Sequence, residues 1–269
     1  MFEFESNNLY AHAHACLMEA DPVNKVALTN NCVALWLGGD LLRDSYPIEV
    51  IMSPGHPQKP ELVPPRDLPR RSIQTSQGHA ALVHSICHIE FNAINLAWDA
   101  VYRFHDMPDE YYRDWMKVAK EEAYHFSLLS QHLKTLGYEY GDFPAHNGLW
   151  EAALNTAHDP LIRMALVPRV LEARGLDVTP GIIEKLKNIN DQQAVEILDI
   201  IHRDEVGHVE IGSRWFLYLC EQRNLPMEAT FRKLLDEYMY GSIRGPLNRE
   251  SRLKAGFSEA ELDYLEGTG

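Results

Sequence analysis

The sequence predicts an all-α protein built on a four-helix bundle, and three features of its 269 residues support this fold class. Long segments repeat apolar residues at helical spacing, whereas the alternating pattern of strands is almost absent. Prolines and glycines separate these segments at positions that suit helix ends. Two segments carry the same motif, Glu-x-x-His, which places both of its side chains on one helical face.

Residues 1–72 are expected to form N-terminal helices and a proline-rich connector that pack on the bundle. Helical spacing covers residues 8–38, where Asp21-Pro22 suits a helix start and Gly38-Gly39 a helix end. Between 45 and 71 the prolines resist helix interiors and indicate an extended segment. This connector is either a loop over the bundle or a lid that contacts an anionic partner. Its basic residues are Arg66, Arg70 and Arg71.

The bundle itself is expected over residues 73–223 as two similar helical hairpins. The first hairpin joins helices near 73–105 and 109–136 through a short turn, which favours an antiparallel pair. A short helix near Trp150 then lies in a long connection to the second hairpin.

The second hairpin is expected to begin at Asp159-Pro160, with a kink at Pro168. Its first helix should break after Gly175 and restart near Thr179-Pro180, and its second should cover about 191–223. Residues 224–269 should add a C-terminal helix and a polar tail on the surface. We expect the whole chain to form one compact domain.

Each hairpin carries a glutamate on an apolar stripe, followed on the next helix by Glu-x-x-His. The first and second glutamates are 32 residues apart in one hairpin and 33 in the other. A buried carboxylate is unfavourable unless it has a cation or a hydrogen-bond partner. The pattern predicts a metal site, and the alternative is a buried network of Glu with His or Arg. The predicted metal ligands are Glu90, Glu122, His125, Glu172, Glu205 and His208.

These six ligands suit two metal ions. Four carboxylates neutralise two divalent cations, and oxygen and imidazole ligands without thiolate favour iron or manganese. The expected cofactors are therefore two ions, as an Fe/Fe or Mn/Fe pair. Asp204 is expected to orient His125, and Glu121 to orient His208, each by accepting the other ring proton. The alternative for both acids is a solvated position on the next helical face.

The ligand pattern resembles that of the ferritin-like di-iron carboxylate superfamily. The segments His88-Ile89-Glu90, Glu121-Glu122-Ala123-Tyr124-His125 and Asp204-Glu205-Val206-Gly207-His208 resemble more closely a bacterial ferritin-like family catalogued as a domain of unknown function. The resemblance covers most of the chain. It implies a ferritin-like bundle around a non-haem dinuclear metal site, and it implies no particular substrate.

The functional hypothesis is therefore a dinuclear metal oxidoreductase that activates dioxygen or peroxide, such as a hydroxylase or monooxygenase of a small molecule. One alternative is a ferroxidase, an iron-handling protein or a peroxide scavenger. Another is a metal held only for stability. A tRNA-modifying hydroxylase is disfavoured by the formal net charge of −14, because phosphate contacts require basic surfaces.

Composition adds expectations about location and packing. The sequence has no apolar run long enough for a membrane span and begins with acidic residues, so a cytoplasmic protein is expected. A homodimer is the default assembly. Three histidines near the ligands, His84, His88 and His202, are expected to be packed residues. No Cys-x-x-Cys pair occurs, and four buried thiols are predicted at Cys16, Cys32, Cys87 and Cys220.

Overall fold

A computed structural model describes residues 6–238 and 246–267, and it confirms the predicted all-α class. Within these ranges, strand-like pairing is limited to two isolated bridges, Asn8 with Leu42 and Leu62 with Ala145. None of the described helices combines the length and apolar character needed to cross a bilayer. The chain divides into two compact units, residues 1–154 and 155–269. The domain boundaries expected from sequence stay predictions.

The first three α-helices of the first unit begin at side-chain caps. Asn8, Asp21 and Thr75 each accept a hydrogen bond from a backbone N–H of the following turn. Because Thr75 is the cap, α3 starts three residues later than Ile73, where the apolar spacing begins. The helices are α1 (Leu9–Met18), α2 (Pro22–Gly38), α3 (Ser76–Arg103), α4 (Asp109–Thr135) and α5 (Gly148–Asn155).

Inside the first unit, α3 and α4 form the predicted hairpin. They pack against each other, while α1 packs on α3 and α2 packs on α4. The hairpin therefore has its own layer of covering helices. The predicted loop character of the connector is confirmed, apart from one 3-10 turn at Pro65–Asp67. Hydrogen bonds from Trp150 Nε1 to Met52 O (2.9 Å) and from Val63 N to Ala145 O (2.8 Å) hold it in place.

The second unit contains the predicted second hairpin and further helices. Asp159 and Asp191 cap its two main segments, as the sequence indicates. A π-helix, Val167–Glu172, separates α6 from α7. The helices are α6 (Pro160–Leu166), α7 (Ala173–Asn188), α8 (Gln192–Gln222), α9 (Met227–Tyr238), α10 (Arg249–Lys254) and α11 (Glu259–Gly267).

The predicted break after Gly175 is wrong, because α7 runs without interruption through Gly175 and Pro180. Proline has no N–H, so Pro180 leaves the carbonyl of Leu176 without its usual helical donor. Asn248 Nδ2 donates a hydrogen bond to that oxygen at 3.1 Å. A side chain distant in sequence thus replaces the missing backbone bond, and the helix continues.

At Pro168, where the sequence predicts a kink, the structure has the π-helix. Its wider turn accommodates a proline that cannot donate to the preceding turn. The ring of Pro168 packs against α8 at Gly212, where an added Cβ would lie within 2.5 Å of Pro168 Cβ. Gly212 therefore allows the π-helix and α8 to approach closely, and Glu172 is the last residue of this segment.

The expectation of a polar surface tail is wrong for residues 246–267, whereas 239–245 lie outside the described residues. This segment contains α10 and α11 and contributes buried groups. Arg169 Nη2 donates to Glu261 Oε2 at 2.8 Å, and neither side chain is exposed. Phe216, Phe231 and Phe257 surround the guanidinium. Although its sequence is polar, the segment 246–267 therefore contributes to the core through the buried ion pair of Glu261 and the buried ring of Phe257.

Candidate metal centre

The hairpin of α3 and α4 brings together the three predicted ligands of the first unit. Each of Glu90, Glu122 and His125 offers one ligand atom, and these atoms lie within 4.8 Å of one another. His125 Nδ1 is 3.1 Å from Glu90 Oε2 and 3.5 Å from Glu122 Oε2. The three side chains are at most 3% exposed. Two carboxylates and one imidazole therefore converge inside the helical layer.

Electrostatics in this cluster favour proton sharing in the absence of a metal. Burial, followed by the nearby charge of Glu122, raises the pKa of Glu90 well above its ordinary value. Burial alone would lower the pKa of His125, but hydrogen bonds with Glu122 and Glu90 raise it to about 11. Both shifts favour protons kept between the imidazole and the two acids. A metal cation at the same place would supply the positive charge instead.

The second unit carries the other three predicted ligands. Glu172 ends the π-helix, whereas Glu205 and His208 lie one turn apart on α8. His208 Nδ1 is 3.6 Å from Glu205 Oε1, and the imidazole is fully buried. The same ring nitrogen thus faces a carboxylate in both Glu-x-x-His motifs. Glu205 keeps 13% of its side chain exposed, more than any of Glu90, Glu122 and His125 in the first unit.

The two acids predicted to orient the histidines have partners on their own helices. Arg203 donates to both carboxylate oxygens of Asp204, at 2.9 and 3.2 Å. Lys117 Nζ donates to Glu121 Oε2 at 2.8 Å. Both acids are only partly buried. Their predicted roles toward His125 and His208 stay predictions.

The histidines expected to be packed residues make such contacts. Gly141 N donates to His84 Nε2 at 2.9 Å, and burial lowers the pKa of His84 to about 4. His88 Nδ1 lies 2.9 Å from the hydroxyl of Tyr140. His202 Nε2 lies 3.5 Å from Ser251 Oγ.

Tyr140 is the residue near the first cluster that sequence reasoning missed. Its ring contacts Phe91 and Phe126, which directly follow Glu90 and His125 in the chain. Burial raises its pKa above the ordinary range of a phenol. Tyr140 lies in a glycine- and proline-containing connection without helical periodicity, so no local pattern indicated this packing position.

Comparisons with known proteins identify a family and no activity. Residues 18–263 match the family described as "Protein of unknown function (DUF455)". An uncharacterized protein of Haemophilus influenzae is 53% identical over 216 residues, which cover 78% of this chain and 75% of the relative. No solved structure shows significant similarity.

Proposed function

We propose that this chain, which belongs to the DUF455 family of unknown function, is a dinuclear metal oxidoreductase that activates dioxygen or peroxide. The observation that carries the proposal is the buried convergence of Glu90, Glu122 and His125 in the first unit. The second unit repeats the motif with Glu205 and His208 and adds Glu172. The proposal assigns both sets to one centre of two ions in a ferritin-like bundle.

The donor atoms support iron or manganese as the metal. Carboxylate oxygen and imidazole nitrogen, without thiolate, are ligands that suit these ions. Four glutamates also match the charge of two divalent ions, which makes a buried centre electrostatically acceptable. When bound, two ferrous ions would supply electrons for the reduction of dioxygen or peroxide, and an external electron donor would restore them.

The residues around the site have three tasks in this proposal. The i, i+3 spacing of Glu122 and His125 fixes both ligand atoms on one face of α4. Burial excludes bulk water, which strengthens the charge interactions of the site. Nδ1 of His125, which faces both carboxylates, would have to be free of a proton to bind the metal.

The covered hairpin supports an enzyme with a small-molecule substrate over an iron-storage protein. In the first unit, α1 packs on α3 and α2 packs on α4. This covering is unnecessary for a minimal storage bundle, whereas it suits a reaction kept away from solvent. The number of iron ions taken up per chain distinguishes the iron-storage alternative, because storage requires far more than the two ions of the proposed centre.

The experiment is anaerobic titration with ferrous iron, followed by rapid mixing with dioxygen. We expect saturation near two iron ions per chain, a fast change in absorbance as both ions are oxidised, and no iron accumulation with excess ferrous ion. Glu172→Gln should abolish the fast phase, whereas Glu110→Gln, an exposed site at the start of α4, should leave it unchanged. Continuous uptake of excess iron would support the storage alternative, and an absence of oxidation would refute the enzyme.

A further inference from the structure

Two cysteines of the first unit meet although they are 16 residues apart in sequence. Cys16 on α1 and Cys32 on α2 have sulfur atoms 3.3 Å apart, and neither side chain is exposed. A disulfide bond is about 2.05 Å long, so the sulfurs would need to approach by little more than one ångström. The reduced pair therefore already has the juxtaposition that oxidation requires.

His12 provides an acceptor for the thiol proton. Its Nε2 lies 2.9 Å from the carbonyl oxygen of Ser6, and a carbonyl can only accept a hydrogen bond. Nε2 must therefore carry the ring proton in the neutral imidazole, which leaves Nδ1 as the acceptor. Nδ1 lies 3.5 Å from Cys32 Sγ. The hydrogen bond to Ser6 thus fixes the tautomer in which the unprotonated Nδ1 of His12 faces the sulfur of Cys32.

The two thiols are chemically unequal. Hydrogen bonding with Cys16, opposed by burial and reinforced by His12, lowers the pKa of Cys32 to about 6. Burial raises the pKa of Cys16 well above its ordinary value. One sulfur is therefore suited to be the thiolate nucleophile, and the other retains its proton until the second step.

The surrounding side chains hold this pair in place. Lys25 Nζ donates to the carbonyl oxygens of Cys16 and Leu17 at 2.9 and 3.0 Å, and to Asn95 Oδ1 on α3 at 2.6 Å. Trp98 Nε1 donates to Thr29 Oγ1 at 2.9 Å, one turn from Cys32. Both helices are thus fixed to α3 at the level of the sulfurs.

We propose that Cys16 and Cys32 are a peroxide-reactive dithiol that closes to a reversible disulfide, with His12 as the base for Cys32. The thiolate of Cys32 attacks one oxygen of hydrogen peroxide. The S–O bond forms, the O–O bond breaks, and the departing hydroxide takes the proton from His12 to become water. The sulfur of Cys16 then attacks the sulfenic sulfur, the S–S bond forms, and the second water leaves with the Cys16 proton.

The balance is two thiols and one peroxide giving one disulfide and two waters. The buried position of both sulfurs argues against oxidation by a protein disulfide, because thiol–disulfide exchange needs in-line access to a sulfur. A small diffusing peroxide does not need an exposed surface. The site uses none of the proposed metal ligands, so this activity is independent of the proposed function.

The test uses the full chain, reduced and stripped of metal with a chelator. It is exposed to hydrogen peroxide, then denatured in an alkylating reagent and digested for mass spectrometry. We expect one disulfide-linked peptide pair that contains Cys16 and Cys32, and we expect it to disappear after treatment with dithiothreitol. Cys87, whose sulfur lies 3.8 Å from Phe126 O, and Cys220 should remain free thiols and serve as internal controls.

A second arm tests the base. His12→Asn should slow formation of the linked pair about tenfold, because less of Cys32 is then present as thiolate. His14→Asn, on the same helix against the ring of Tyr102, should leave the rate unchanged. Oxidation of Cys87 or Cys220 at the same rate, sulfinic acid on Cys32 without a linked peptide, or an equal effect of both histidine variants would overturn the proposal.

Discussion

Nδ1 of His125 lies 3.1 Å from Oε2 of Glu90, and the two buried side chains come from facing helices of one hairpin. A carboxylate buried in this position is unfavourable without a proton or a positive partner, and the raised pKa values of Glu90 and His125 favour protons kept between the two groups in the metal-free protein. The same atoms are the ligands of the proposed centre. The contact between Glu90 and His125 therefore contributes to the stability of the metal-free hairpin through the same atoms that would bind a cation.

Substitution of one converging carboxylate should weaken metal binding. In Glu122→Gln the amide retains the shape but removes the charge next to Glu90 and His125, so affinity for ferrous or manganous ion should fall about tenfold or more. Titration with either ion, followed by calorimetry, measures this change. Glu110→Gln lies on the same helix but is exposed, and it should bind as the unmodified protein does. Equal affinities for the two variants would count against Glu122 as a ligand.

Lys25 should make stability depend on pH. Burial lowers its pKa from 10.5 to about 7, so between these values the unfolded chain binds more protons than the folded chain. The free energy of unfolding must therefore rise as the pH increases from about 7 to 10.5. Below this window Lys25 is protonated in the folded chain as well, and this gain in stability is absent. For the metal-free protein, Lys25→Met should remove about 2 kcal/mol of the gain between pH 7 and pH 9. Urea unfolding at both pH values measures the difference, and parallel curves for the two proteins would contradict it.

Gly212 should tolerate no side chain. A Cβ at this position meets the ring of Pro168 in the π-helix, so Gly212→Ala should destabilise the protein by about 1–3 kcal/mol. Gly207, on the same helix, has open space at the corresponding place. Gly207→Ala should instead be neutral or stabilise by up to about 1 kcal/mol, because alanine favours helix. Denaturant unfolding of both variants measures the two changes in stability. An unchanged midpoint for Gly212→Ala would contradict the prediction, because it would mean that Pro168 and α8 move apart without cost.

The buried ion pair of Arg169 and Glu261 should be essential to the second unit. Glu261→Ala leaves a guanidinium without its anionic partner among aromatic rings, and the expected loss is about 3–5 kcal/mol. Glu266 pairs with Arg249 at 2.8 Å on the surface, where solvent screens the charges, so Glu266→Ala should cost far less than Glu261→Ala. Thermal unfolding of both variants provides the comparison. Similar losses would show that burial does not distinguish these pairs.

Local chemistry explains what the sequence could predict. Helix starts at Asp21, Asp159 and Asp191 depend on a side chain and the next backbone amides, so they are visible within four residues. The Glu-x-x-His geometry follows from helical periodicity alone. For this reason, the class of fold and the convergence of Glu122 with His125 were predictable.

Long-range partners explain what the sequence could not predict. The continuation of α7 through Pro180 depends on Asn248, and the core role of the C-terminal segment depends on the 92-residue separation between Arg169 and Glu261. The contact of Cys16 with Cys32 requires a turn between two packed helices. The sequence separation of these pairs matches no helical or motif spacing, so nothing in the sequence indicates that the residues meet.

The most direct test of the proposed centre is metal analysis of the protein purified without chelator and loaded anaerobically with ferrous iron. Two tightly held ions per chain are expected, as iron or as manganese with iron. In Glu90→Gln and Glu205→Gln, one from each unit, the content should fall while the helical circular dichroism remains. One tightly bound zinc ion, or no binding at excess iron, would contradict the dinuclear centre and leave the six residues as buried polar networks.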